Sequence, residues 1–434
     1  MTDPVSIFNT MITTKQRRAL VVGAGITGLA TAGRLRRAGW TPVLVERSAQ
    51  RRSGGYFIAL FGAGHAAARR LGILDHLHDR TAPRPPLEID RAGGSRPGFG
   101  MTDLPGKPWM MLRGDAERAA FAALPGDVEI RFSTVPAAIA QDADGVDVTL
   151  LDTATGTSTT ERFDLVVGAD GLRSAVRSLV FGPHERYLKR LGYMIAAFEH
   201  DGPLDGLEPG RGAMLLEPHR SMWVFAFADH NPTVLFSYRA DDVDAQFTGA
   251  LAQRVREAFG PQPTGRVLGA ALDSLEKADT ALFDSVEQVR MDTWRRGRVV
   301  LVGDSAWCAT LYSGMGVSAG FAGAELLGAA LEATPDDVPG ALAEWERGLR
   351  PHITAHQDAA PDQRRVFVLD NRVQVALRRA LPLITRTRPG KRLAERVMGF
   401  DEIARTKNAD IVGEALSRSA RTGTREKNTL VRPA

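Results

Sequence analysis

Hydrophobic residues in this chain fall into short unbroken runs that end in glycine turns. The run at 19–22 is flanked by arginines on one side and Gly23 on the other, which predicts a fully buried strand. A helix is predicted over 29–38, with Arg34, Arg36 and Arg37 on its outer, solvated face, and a second strand over 41–45 ending at Glu46. Two further apolar strands are predicted at 164–168 and 298–302, each running into a glycine pair, Asp170-Gly171 and Gly303-Asp304. Strands alternating with helices in this way predict an α/β fold with a parallel sheet. The segment 222–228 has a different period: it alternates, placing Trp223, Phe225 and Phe227 on one face of a strand that belongs to a second sheet. The expected division is discontinuous. Residues 17–80, 104–182 and 285–350 build the first domain and 81–103 and 183–284 the second, followed by a helical region over 351–416 and a polar, disordered tail over 417–434.

The turn after the first strand reads Gly23-Ala24-Gly25-Ile26-Thr27-Gly28. Gly23 permits the tight turn, Gly25 lets backbone approach a pyrophosphate, and Gly28 lets the helix close on the strand, so that an anion meets the N–H groups of the helix start. Glu46 lies 18 residues past Gly28, close to the spacing expected of a carboxylate that takes ribose hydroxyls, and its charge disfavours a 2′-phosphate there. Alone, this reads equally as an FAD or an NAD site. The two later pairs separate them, because a plain NAD dehydrogenase has no use for Asp170 or Asp304.

With these three motifs in order, the chain from about Arg18 to Pro351 resembles the flavin-dependent aromatic hydroxylases of the para-hydroxybenzoate hydroxylase family, which include tetracycline-degrading and antibiotic-tailoring FAD monooxygenases. The resemblance implies an FAD-binding Rossmann-type domain interleaved with a β-sheet substrate domain. It implies that Gly23, Gly25, Thr27, Gly28, Glu46, Arg47, Gly303 and Asp304 hold FAD, with Asp304 on the ribityl and pyrophosphate region. Arg113 would reach the phosphates, Val135 the adenine, and Asp170-Gly171 both FAD and an approaching nicotinamide. Gly316 and Val317 begin a helix predicted over 317–331, whose positive end would face the flavin's pyrimidine edge. Tyr56, Leu311 and Tyr312 would flank the ring, and Trp223, Phe225 and Phe227 would roof a substrate pocket. The late segment departs from the commonest pattern, with Trp307, Thr310, Leu311 and Ser318 at its histidine, proline and asparagine positions, while Ser313-Gly314-Met315-Gly316 is intact.

The implied activity is oxygenation of an aromatic or polycyclic small molecule, by hydroxylation or epoxidation, with NADPH or NADH and O₂, through a flavin C4a-hydroperoxide kept dry by the protein. No residue is assigned as catalytic base. A flavin halogenase would need a Trp-x-Trp-x-Ile-Pro segment that Trp223-Val224-Phe225 does not supply. A reductase or dehydrogenase without oxygen insertion, and a flavoprotein that only sequesters a ligand, remain as alternatives.

Composition narrows the setting. The single cysteine, Cys308, excludes an internal disulfide framework, and there is no metal-spaced Cys/His cluster, so a reduced cytoplasm is expected and no metal. The net charge of +4 does not point to nucleic acid as a partner, because residues 372–434 carry fifteen Lys/Arg against six Asp/Glu and the basicity is local. Arg378, Arg379, Arg386, Arg388, Arg392 and Arg396 fall among apolar positions as on helices with a solvated face. No nucleic acid, no transmembrane segment and a monomer or dimer are expected.

Overall fold

The computed structural model describes residues 16–51, 55–103, 106–384 and 400–418. Its organising layer is a six-stranded sheet in which Arg18–Val22 lies between Thr41–Val45 and Leu165–Gly168, all parallel. Val299–Leu301 extends the sheet beyond Leu165–Gly168 and Glu129–Arg131 beyond Thr41–Val45, while Arg295–Arg296 closes one edge antiparallel. Ala19, Leu20 and Val21 are fully buried, as a parallel strand covered on both faces requires. The helix Ile26–Arg37 packs beside Gly316–Ala333. Their close approach depends on glycine: a Cβ on Gly320 would lie 2.4 Å from Thr27 Oγ1, and one on Gly328 2.3 Å from Arg34 Cγ.

A three-stranded antiparallel sheet, Thr134–Gln141, Val146–Asp152 and Ser158–Phe163, is inserted between two strands of the first. The second large sheet has seven strands in the order Leu282–Val289, Leu188–Glu199, Thr233–Arg239, Arg220–Phe225, Ala213–Glu217, Leu87–Ile89 and Ser95–Pro97. Alternation assigns its two faces. Met194, Ala196, Phe198, Met222, Val224 and Phe236 pack in one cluster with Val255, Phe259, Leu268 and Leu272 of the helices Leu251–Phe259 and Gly265–Lys277. Ile195, Ala197, Trp223, Phe225 and Leu235 point the opposite way and join the main core. The expected boundary at 284/285 falls inside the strand Leu282–Val289, which pairs with Leu188–Glu199 on both sides of a bulge.

After Gly316–Ala333 the chain forms the 30-residue helix Val338–Phe367, then Arg372–Ile384 and Phe400–Asn408. Two of the arginine expectations fail. Arg34 is buried at the helix seam, where it pairs with Glu325 and Glu332, because the neighbouring helix covers that face. Arg378 is also buried and donates to the Phe99 carbonyl, with burial pulling its pKa to about 10, while Arg379 pairs with Glu88. Arg386, Arg388, Arg392 and Arg396 lie outside the described residues, as does the tail from 419, whereas 417 and 418 are helical. Among the described residues, no helix is long and apolar enough to cross a membrane.

Candidate functional site

Two adjoining cavities open at the carboxyl ends of the parallel strands, where ligands of open α/β sheets bind. The first, about 280 Å³, is lined by Gly23, Gly25, Glu46, Arg47, Arg51, Arg113, Val135, Asp170 and Gly171. The second, about 370 Å³, shares Gly25, Arg113, Ala169 and Gly171 with it and continues along Thr27, Tyr56, Asp304, Leu311, Tyr312, Gly316 and Val317 to the seven-stranded sheet. Together they form one elongated cradle.

The three fingerprint glycines do different things. Gly23 has φ +103°, and a Cβ there would lie 2.6 Å from the Ala169 carbonyl; a Cβ on Gly28 would lie 1.8 Å from the Gly23 carbonyl. Both are needed for the chain to close on itself. A Cβ on Gly25 would meet nothing nearer than Arg113 at 3.8 Å, so Gly25 keeps space clear in the cradle rather than shaping the turn. Glu46 accepts from the Ala24 N–H at 3.0 Å and the Ser48 N–H at 2.9 Å, which fixes its carboxylate at the mouth of the first cavity with acceptor capacity left on each oxygen. Thr27 wedges between Gly303 and Gly320, so it is a packing residue as well as a lining one.

Arg113 begins the helix Arg113–Ala122 and donates its backbone N–H to the Tyr56 carbonyl at 2.9 Å. Its guanidinium makes no ion pair among the described residues, although it stands where the cavities meet. An unpaired, half-buried guanidinium facing open space suits a pyrophosphate. Nearby, Arg51 holds Glu117 through two bonds of 2.9 Å and lies 3.7 Å above the Phe121 ring. Neither Arg51 nor Glu117 belongs to a sequence motif, so only the fold brings this pair to the cavity.

Asp170 accepts from Ser174 Oγ at 2.6 Å and the Val176 N–H at 3.2 Å, and desolvation raises its pKa against those two bonds. Its carboxylate therefore braces the start of the helix Ala175–Val180. Arg177, which no local motif marks, is fully buried and ties the Asp170 turn to the Asp304 turn by donating to the carbonyls of Leu172 at 2.6 Å and Ser305 at 2.8 Å. Asp304 follows Gly303, whose φ is +65°, and opens onto the second cavity. Desolvation pushes its pKa up, offset in part by the Arg113 charge and the Cys308 thiol, so a donor arriving from a ligand would find an acceptor short of partners. Gly316 starts an 18-residue helix with open space in front of it.

The proposed pocket residues divide. Phe225 lines the second cavity and stacks on Phe57 with centroids 3.9 Å apart. Tyr312 lines it too, but its hydroxyl is held by Ser237 Oγ at 2.7 Å and burial raises its pKa, as burial also does for Tyr56. Trp223 is displaced to a side cleft of about 40 Å³, with its indole N–H donating to the Phe367 carbonyl at 3.2 Å. Phe227 is not in the pocket. The strand stops at Phe225, and Phe227 borders a separate cleft of about 510 Å³ with Leu204, Arg211 and His230. The cavity also takes Gln363, Val366, Phe367 and Lys407 from the C-terminal helices, none of which local sequence could assign to it.

This arrangement fits FAD: a carboxylate at one end, an unpaired arginine and a glycine opening in the middle, and an acceptor and helix start at the other. The FAD binding domain family matches residues 16–337. A flavin-dependent monooxygenase from an unidentified prokaryote is 30% identical over 356 residues, 79% of this chain and 88% of that protein. The crystal structure of tetracycline destructase Tet(51) superposes with TM-score 0.72 at 26% identity, covering 91% of this chain and 98% of that one. Klebsiella pneumoniae HpxO, solved with FAD and uric acid, shares the fold with TM-score 0.68 at 20% identity over 90% of this chain and 96% of that one. The chain belongs to the FAD-binding flavin-dependent monooxygenases.

Proposed function

We propose that the protein uses NADPH or NADH and O₂ to hydroxylate or epoxidise an aromatic or polycyclic small molecule of the kind made in secondary metabolism. The observation that carries this reading is the apolar cavity continuous with the dinucleotide cradle and roofed by the inner face of the seven-stranded sheet. Similarity to a tetracycline destructase supports a polycyclic substrate. Bound FAD supplies electron transfer and the reaction with O₂.

The chain's residues bind, orient and exclude water. Glu46, Arg113 and Asp304 hold the dinucleotide at three points along its length, and Asp170 keeps the intervening turn in place through Ser174 and Val176. Phe57, Phe225, Ile195, Ala197 and Leu235 make the substrate side dry, which favours productive oxygen transfer over loss to water. Tyr312 presents its ring while its hydroxyl is held by Ser237, so it shapes the pocket. Tyr56 keeps its proton because burial raises its pKa, and it can donate a hydrogen bond to a substrate oxygen.

The test is turnover of a panel of aromatic polyketides and indole alkaloids under NADPH and ¹⁸O₂. One labelled oxygen in the product, with NADPH oxidation stimulated by that substrate, is the expected result. An unlabelled product would instead assign a reductase or dehydrogenase, and tight ligand binding without stimulated oxidation a sequestering flavoprotein.

A further inference from the structure

Lys407 stands on the helix Phe400–Asn408, packed against the helix Gly62–Arg70, and lines the second cavity. The residue is only 5% exposed. Its Nζ donates to the Ser313 carbonyl at 2.7 Å and lies 4.6 Å from the centre of the Phe61 ring. Among the described residues no carboxylate pairs with it, and desolvation draws its pKa down to about 8.

The other charges of this cavity have charged neighbours or belong to the cradle, although Glu287 Oε2 is buried without a hydrogen-bond partner. Asp284 takes two bonds from Arg173, at 3.1 and 2.8 Å, and Glu287 accepts from Ser285 with Arg173 and Arg190 each 3.6 Å away. Arg113 belongs to the junction with the dinucleotide cradle, and Asp304 lies near it. Lys407 is the remaining charge, and it has donors to spare, since an ammonium has three and Ser313 takes one. It is not required to fasten its helix. Asn408 accepts from the Gly62 N–H at 3.0 Å, and Arg70 grips Asp410 at 2.8 and 2.7 Å. An apolar side chain would fill the space beside Phe61 without the desolvation penalty of a buried charge.

We propose that Lys407 is the specificity-determining cation of the pocket, receiving an anionic oxygen of the substrate: a carboxylate, or a phenol or enol that ionises. The proposal rests on the reading of this cavity as the substrate pocket and narrows its substrate to acidic aromatic or polycyclic molecules.

The test uses FAD-loaded protein and two probes, a hydroxynaphthoate and its neutral carboxamide, titrated by the change in flavin absorbance. The wild type should bind the anion about tenfold or more tightly than the carboxamide, a charge-assisted bond being the stronger. Lys407→Met should lose that preference while keeping carboxamide affinity and FAD content, and Lys407→Arg should restore part of it. Equal binding of the two probes by the wild type, binding of neither, or a preference that survives in Lys407→Met would overturn the proposal. So would a midpoint potential of the ligand-free flavin that falls in Lys407→Met with the preference intact, which would assign the charge to the reduced cofactor instead. The oxygenation reading is tested separately by ¹⁸O incorporation, so anion preference through Lys407 without labelled product would sink that reading and leave this one standing.

Discussion

At the scale of single residues, what a missing side chain would strike decides what each fingerprint glycine does. Gly28→Ala drives a Cβ into the Gly23 carbonyl and should destabilise the FAD-free protein by about 1–3 kcal/mol, read as a lower denaturation midpoint. Gly25→Ala meets only Arg113, at an ordinary contact distance of 3.8 Å, so it should leave that midpoint unchanged and lower FAD affinity instead. Asp304→Ala should weaken FAD binding by about 1–3 kcal/mol in equilibrium dialysis, because it leaves the ligand's donors unpaired; undiminished affinity would remove Asp304 from the site. His356 is buried with its pKa lowered to about 4 by desolvation and by the Lys407 charge. Its folded value lies below the ordinary 6.5, so the unfolded chain binds its proton first as pH falls. Stability associated with neutral His356 should therefore be intact above pH 6.5 and lost progressively toward pH 4, on the order of 2–4 kcal/mol, with His356→Gln flattening that part of the profile. The positions of the fingerprint glycines at the first turn and of Asp304 at the second cavity were legible because turn geometry is local. Arg177, Arg51 and His356 were not, since each takes its role from partners that sequence does not bring near it.

At the scale of elements, period distinguished the two sheets more reliably than it located their ends. Strands at 19–22 and 41–45 were readable because continuous apolar runs are buried on both faces. The alternation at 222–228 identified a strand of the second sheet, which is buried on both faces because helices cover one and the main core the other, yet Phe227 lies past its end, where the backbone has left the ladder and one face of the pattern no longer means one side of the sheet. Arg34 shows the same limit for helices: its place on an outer face held only until a second helix covered that face. Because Phe225 roofs the cavity from a strand that also carries Trp223, shortening it should open the pocket to water without loosening the dinucleotide. Phe225→Ala is expected to retain FAD and to divert reducing equivalents from product to H₂O₂, measured as peroxide formed per NADPH oxidised with a verified substrate.

At the scale of the whole molecule, one hydrophobic core runs from the parallel sheet through the inner face of the seven-stranded sheet, and FAD would bridge segments from Gly23 to Val317. Cofactor binding should stabilise both sheets together: at free FAD a hundredfold above its Kd, thermal unfolding should shift by about 2.7 kcal/mol as one transition. The nicotinamide has no second Gly-x-Gly-x-x-Gly of its own in the sequence, so it should bind transiently; a crystal soaked with NADPH that showed a separate ordered nucleotide domain would contradict this. Sequence alone determined the cofactor class and the parallel sheet, because a dinucleotide is recognised by backbone turns whose glycines and acids are set within a few residues of each strand. Only tertiary structure decided which aromatic residues reach the pocket and that the C-terminal helices wall it with Gln363, Phe367 and Lys407. Those positions depend on how separate elements dock, and docking is fixed by the packing of the assembled core rather than by any local pattern.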